Sequence, residues 1–180
     1  MIEYTVERNK KIRVYDNLFE FKFRHDLYKY VNASYFRIGW EDDTVFENRK
    51  HRFLHASYSD KDIVDIKLIE AIQSSQAAKE LEGYKVVKCV VNLSTPSDAN
   101  FRHIHGEDKI LLYYVNIEWE DGWHGETMFF NEDGTNISYA SAYTPNRLIA
   151  FDPSIPHAIR PQSHIAPYYR FTLAIILNKC

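Results

Sequence analysis

Cysteine is scarce. Of 180 residues only Cys89 and Cys180 carry a thiol, so no disulfide framework is expected and a reducing, cytoplasmic setting fits better. Long apolar runs are missing as well. None approaches the roughly 20 residues of a membrane span. The opening Met1-Ile2-Glu3-Tyr4-Thr5-Val6-Glu7 is too polar to read as a signal peptide. There is no excess of positive charge: a formal net charge of -3 gives no electrostatic reason to expect nucleic acid or an anionic membrane as partner. Linkers, repeats and low-complexity stretches are lacking too, so the expectation is one domain over residues 1–180.

What is present suffices for a core. Hydrophobic residues make up 45% of the chain and charged residues 26%, a balance that excludes a disordered chain. The first half mixes helix and strand, with helical support expected over about residues 1–83. Residues 16–30 read as a helix with Asp16 as N-cap and apolar Leu18, Phe19, Phe23 and Leu27 near helical spacing. Ser59-Asp60 opens a second helix running to about Glu82. Ile63, Ile66, Ile69 and Ile72, with Val64 and Leu68, face inward, and Gly83 stops it. Residues 40–58 between the helices, rich in charge and aromatics, read as a long loop and a lid candidate. From residue 84 the texture changes to short segments rich in Val, Ile, Tyr, Phe and Thr: 84–92, 110–117, 127–131, 136–142, 147–151 and 170–177. Turn chemistry such as Glu132-Asp133-Gly134 and Asp152-Pro153 separates them. Six or more short strands at this spacing predict a sandwich or jelly roll over about residues 84–178, with helices packed on one sheet.

The chemistry lies in three places. His103 and His105 stand two apart, which puts both side chains on one side of an extended strand. His157 follows some fifty residues later, and Arg170 opens the last apolar strand, where an inward arginine needs an anionic partner. Three imidazoles suit Fe, Zn, Cu or Ni. Taken singly, the two neighbouring histidines also fit a surface pair, His157 a turn cap and Arg170 a surface ion pair. His25, His51, His55, His124 and His164 show no comparable spacing and read as surface or loop histidines.

Taken in order, Asn100-Phe101-Arg102-His103-Ile104-His105, Leu112-Tyr113-Tyr114-Val115-Asn116, Trp119, Gly125-Glu126-Thr127-Met128-Phe129-Phe130, Pro145-Asn146-Arg147-Leu148-Ile149-Ala150-Phe151, Ile155-Pro156-His157-Ala158-Ile159-Arg160-Pro161 and Arg170 resemble the prolyl 4-hydroxylase-like branch of the Fe(II)- and 2-oxoglutarate-dependent dioxygenases. The resemblance implies a double-stranded β-helix (a cupin-like jelly roll). His103 would be the first iron ligand and His157 the distal one. Arg170 would hold the far carboxylate of 2-oxoglutarate, with Tyr114 and, second to it, Thr172 as hydrogen-bond donors. It also implies oxidative decarboxylation of 2-oxoglutarate with O2, ascorbate as reductant, and hydroxylation of a peptidyl proline or another C–H bond in a peptide, protein or small molecule. Trp40, His55 and Tyr58 are the candidates for lining the substrate pocket.

The chain departs from the family pattern where HxD is expected, because the aspartate position is His105. Three readings follow: His105 is itself the third ligand, Glu107 or Asp108 substitutes, or the site is a degenerate binding module. The Gly-Gly-Glu turn also reads His124-Gly125-Glu126. From outside the family, three histidines and a water are also how zinc is held for hydrolysis.

Overall fold

A computed structural model describes residues 1–6, 9–39, 54–96 and 101–180. Alternating and continuous apolar runs become eleven described strands: β1 (Ile2–Thr5), β2 (Lys11–Tyr15), β3 (Arg37–Ile38), β4 (Leu54–Tyr58), β5 (Tyr84–Ser94), β6 (Lys109–Tyr114), β7 (Thr127–Phe130), β8 (Ile137–Ser141), β9 (Leu148–Phe151), β10 (His157–Ile159) and β11 (Arg170–Lys179). Eight form one sheet in the order β1-β2-β9-β6-β11-β5-β4-β3, and three form another in the order β10-β7-β8. Every pairing is antiparallel. From β6 onward the chain passes back and forth between the two sheets, with β6, β9 and β11 in the large one and the β7–β8 hairpin and β10 in the small one, as in a jelly roll.

The large sheet has a layer on each face. β11 is buried along both, as a strand between two layers must be. On the outer face, Leu27 and Val31 of α1 (Phe21–Asn32), Ile63 of α2 (Asp60–Asp65), and Leu68 and Ile72 of α3 (Leu68–Gln73) pack with Cys89, Val91, Leu111, Tyr113, Leu173 and Ile175. On the inner face, Ile12, Leu112, Tyr114, Ile149, Phe151 and Ile176 meet Phe129 of the small sheet. Among the described residues no helix is long and apolar enough to cross a membrane.

Several local expectations change. The first helix starts at Phe21, not Asp16. The Asp16 carboxylate instead accepts from Nε and Nη2 of Arg147 at 2.6 and 2.9 Å. Asn146 pairs with both the N–H and the carbonyl of Phe19 at 2.9 Å, which holds that segment out of the helix. The second helix starts at the predicted Ser59, through a capping box with Asp62. It breaks at Lys67, whose φ is 53°, and continues as α3 and a 3-10 turn at Ala78–Leu81. Val64 is exposed rather than inward. The last five residues of the expected long loop are β4, paired along β5; the remainder, residues 40–53, lies outside the described residues.

One buried ionic cluster fastens the outer face. Glu80 is almost fully buried and accepts hydrogen bonds from Tyr15, Arg13 and Lys109 at 2.5, 3.1 and 3.2 Å. Burial alone would raise its pKa, but the Tyr15 hydrogen bond and the charges of Lys109 and Arg13 outweigh it and hold the carboxyl below the usual range. Glu80→Ala strands three donors and should cost about 2–4 kcal/mol, read by urea denaturation. The contribution of the carboxylate is fully present above the ordinary carboxylate pKa and falls away as acidification passes the lower, folded value.

Candidate metal centre

His103 and His157 face each other across an isolated antiparallel bridge. Each backbone N–H donates to the other's carbonyl at 3.0 Å. His105, two residues on, is held by its own N–H to the carbonyl of Pro153 at 3.0 Å. The result is three imidazoles whose ligand nitrogens all lie within 4.8 Å of one another. Ring centroids are 4.5 Å apart for His103 and His157, 4.9 Å for His103 and His105, and 5.2 Å for His105 and His157.

The proton positions are set by local backbone. Nδ1 of His103 lies 2.9 Å from the carbonyl of Phe101, and Nδ1 of His157 lies 2.9 Å from the carbonyl of Ile155. A carbonyl only accepts, so each Nδ1 carries the hydrogen and each Nε2 keeps its lone pair. Burial, then the two neighbouring imidazoles, hold the pKa of His157 well below its ordinary value, so it is neutral and able to ligate. These donors fit a first-row divalent ion. Metal–nitrogen bonds of about 2.0–2.1 Å would place neighbouring nitrogens roughly 3 Å apart, so the three arms would draw in slightly. Neither Glu107 nor Asp108 belongs to the cluster. The Asp108 carboxylate accepts from the N–H of Lys179 at 2.9 Å.

Arg170 lies further along β7, on the same inner side of the sheets. It is fully buried, donating from Nε to the carbonyl of Gly125 at 2.8 Å, with Nη2 3.4 Å from Thr127 Oγ1. Its guanidinium lies 4.8 Å from the Tyr143 ring centroid and 5.7 Å from that of Tyr114. The Tyr114 hydroxyl donates to Thr127 at 2.7 Å, and Thr172 pairs with Tyr114 across the strands. β7 joins the two groups: Phe129 lies opposite His157, and Thr127, two residues back on the same face, touches Arg170. A strand rise of about 3.3 Å per residue separates them by roughly 7 Å.

Two side-chain amides support the backbone of the arginine: Gln162, which no motif announces, and Asn116, the last residue of the Leu112–Asn116 segment. The Arg170 N–H donates to Gln162 Oε1 at 2.9 Å. The Asn116 side chain brackets it, donating to the carbonyl of Tyr169 and accepting from the N–H of Phe171, both at 2.9 Å. Gly125, at φ 92°, leaves room that a Cβ would take 3.0 Å from Arg170 Cδ. His124 adopts φ 59°, ψ -148°, a region almost reserved for glycine. His124→Gly should therefore stabilise the protein by about 1 kcal/mol, a rise in Tm of about 2–4 °C; an unchanged Tm would show that the turn is unstrained.

Of the pocket candidates, His55 pairs with Asn92, which pairs with Thr172, so it shares the inner face with Tyr114. Tyr58 points to the helix layer, where its hydroxyl meets Ser34 at 2.7 Å. Trp40 lies outside the described residues. A cavity of about 530 Å³ at the β4 edge is lined by Tyr30, Ser34, Arg37, His55 and Ser57, among others, and by no residue of the metal cluster.

Among solved structures, this chain is similar to a prolyl hydroxylase from Trichoplax adhaerens in complex with a hypoxia inducible factor oxygen degradation domain peptide fragment. The TM-score is 0.70 at 18% identity, over 93% of this chain and 83% of that one. The chain has the prolyl hydroxylase fold. A prolyl-4-hydroxylase from Pseudomonas putida shares that fold at TM-score 0.63 and 15% identity, over 94% of this chain and 92% of the other. So does a viral collagen prolyl hydroxylase from Paramecium Bursaria Chlorella virus-1, at 0.64 and 13%, over 100% and 95%. No family model matches the sequence, and no curated protein matches it.

Proposed function

We propose that the protein is an Fe(II)- and 2-oxoglutarate-dependent oxygenase of the prolyl 4-hydroxylase type, acting as a single domain over residues 1–180. The observation that carries this reading is the pairing of three converging imidazoles with a fully buried arginine two residues along β7 on the same inner face. Iron and 2-oxoglutarate, when bound, would supply the oxidising chemistry, with O2 consumed, succinate and CO2 released, and ascorbate as a reductant. His103, His105 and His157 would hold the metal on one side and leave the opposite positions open. Arg170 would form the ion pair with the distal carboxylate, and Tyr114 and Thr172 would hydrogen-bond to it. Phe129 and Phe151, packed at the rings of His157, would keep water from the centre. The neighbour that holds a peptide fragment supports a peptidyl prolyl or another peptide C–H bond as the substrate class. Free Cys89, buried in the core, and free Cys180 are consistent with the cytoplasm.

Anaerobic titration of the apo-protein with Fe(II) and 2-oxoglutarate tests the reading through the weak visible charge-transfer band of the chelate. A band is expected in the wild type and none in His103→Ala or His157→Ala. A folded wild type that shows no band would sink the oxygenase reading and favour a binding module; zinc held tightly instead would favour a hydrolase.

A further inference from the structure

The chain crosses from the small sheet to the large one through residues 142–147, between β8 and β9. That crossing is pinned to its neighbours on two sides. The N–H of Asn146 donates to the carbonyl of Tyr114 at 3.1 Å, and the N–H of Tyr114 donates to the carbonyl of Arg147 at 2.9 Å. The Arg147 side chain holds Asp16, and the Asn146 side chain holds the backbone of Phe19. A segment fastened in this way presents its side chains rigidly. Tyr143 is the aromatic residue that it contributes to the inner core, where it is buried.

Both parts of that side chain meet the surroundings of Arg170. The ring stacks on Tyr114, with centroids 4.5 Å apart and planes 20° apart, and meets Trp119 at 4.7 Å. The guanidinium carbon of Arg170 lies nearer to the Tyr143 ring, at 4.8 Å, than to the Tyr114 ring, at 5.7 Å. Both distances are within cation–π range. The hydroxyl reaches the bracket around the arginine. It accepts from the N–H of Asn116 at 3.2 Å, and lies 2.6 Å from Asn116 Oδ1 and 2.5 Å from the carbonyl of Phe171. One hydroxyl hydrogen thus faces two acceptors. Burial raises the phenol pKa against the nearby charge of Arg170, so that hydrogen is kept. The hydroxyl fastens the backbone beside Arg170, and the ring gives the guanidinium a face to rest against.

We propose that Tyr143 is a positioning residue whose ring fixes the guanidinium of Arg170 and thereby sets the length of dicarboxylate that the site accepts. The proposal rests on the oxygenase reading for the ligand, but not for the hold on the arginine. A dicarboxylate held by a metal at one end and by Arg170 at the other must match the place of the guanidinium. One methylene too many or too few costs roughly 10- to 200-fold.

The test compares Tyr143→Phe, which keeps a ring, with Tyr143→Met, a flexible side chain that fills gaps. Both lack the hydroxyl, so their difference isolates the ring; Tyr143→Leu stands in if the methionine variant does not fold. The first readout is hydrogen exchange of the Arg170 Nε–H in metal-free protein. It is followed by NMR with isotope-labelled arginine and assigned by its loss in Arg170→Lys. Exchange should be slow in the wild type and Tyr143→Phe, and on the order of tenfold faster in Tyr143→Met. The second is anaerobic titration with Fe(II) and oxaloacetate, 2-oxoglutarate or 2-oxoadipate. Wild type and Tyr143→Phe should share one preference for 2-oxoglutarate over its shorter and longer neighbours. In Tyr143→Met that preference should shrink about tenfold, with Fe(II) affinity unchanged. Equal exchange in the two variants would overturn the proposal, and so would an equal co-substrate preference. Ring-dependent exchange without the chelate band would keep the hold on Arg170 and remove the oxygenase. A band whose co-substrate preference ignores the ring would do the reverse.

Discussion

His105→Asp is expected to bind Fe(II) on the order of tenfold more tightly than the wild type, and His105→Ala to bind it about a hundredfold more weakly. The backbone at 105 is pinned to Pro153, so the exchange alters the donor more than its direction. A carboxylate brings a negative charge to the ion, and the imidazole brings none. Ligand softness sharpens the test, since carboxylates favour Mn(II) whereas imidazoles favour Zn(II) and Cu(II). The aspartate variant should therefore gain more for Mn(II) than for Zn(II), measured by chelator competition. Equal affinities in all three proteins would take His105 out of the coordination sphere and return Glu107 or Asp108 as candidates, despite their place outside the cluster.

Further along β7, Arg170→Ala should raise the 2-oxoglutarate requirement by about a hundredfold or more, the loss of a charge-assisted pair at a buried site. Because Arg170 is among the largest fully buried side chains, the alanine variant should also lose about 2–4 kcal/mol of stability. Two milder changes separate anchoring from folding. Arg170→Lys keeps the charge but loses the planar fork. Gly125→Ala leaves the arginine in place and crowds its Cδ and Nε at 3.0 and 3.1 Å. Both should weaken 2-oxoglutarate by on the order of tenfold with Fe(II) affinity unchanged, read from the same anaerobic titrations. An unchanged requirement in Gly125→Ala would mean that the guanidinium position does not set co-substrate binding.

The strands from residue 84 onward were legible because their apolar residues run long or alternate cleanly. β3 and β10 were not, being only two and three residues long. β2 hid behind Lys11 and Arg13, whose charges serve Glu3 and Glu80 at the sheet surface. The spacing predicts one second helix where the structure has two, because nothing in it announces the left-handed Lys67. In the metal cluster, chemistry is written in side-chain type, so His103, His105 and His157 could be picked out. The setting of Arg170 could not: Gly125 acts through a carbonyl any residue owns, and Gln162 through an amide with no spacing signal. Thr127 was visible only as the residue after Gly-Glu.

The three arms of the cluster are fastened unequally, and that bears on how metal comes and goes. His103 and His157 are joined to each other by two backbone hydrogen bonds, so their separation is settled as the chain folds and capture need not wait for a loop to close. His105 is fastened elsewhere, its N–H donating to the carbonyl of Pro153. The His103–His157 pair would therefore keep its spacing before any ion arrives, a half of the site ready-made by the fold.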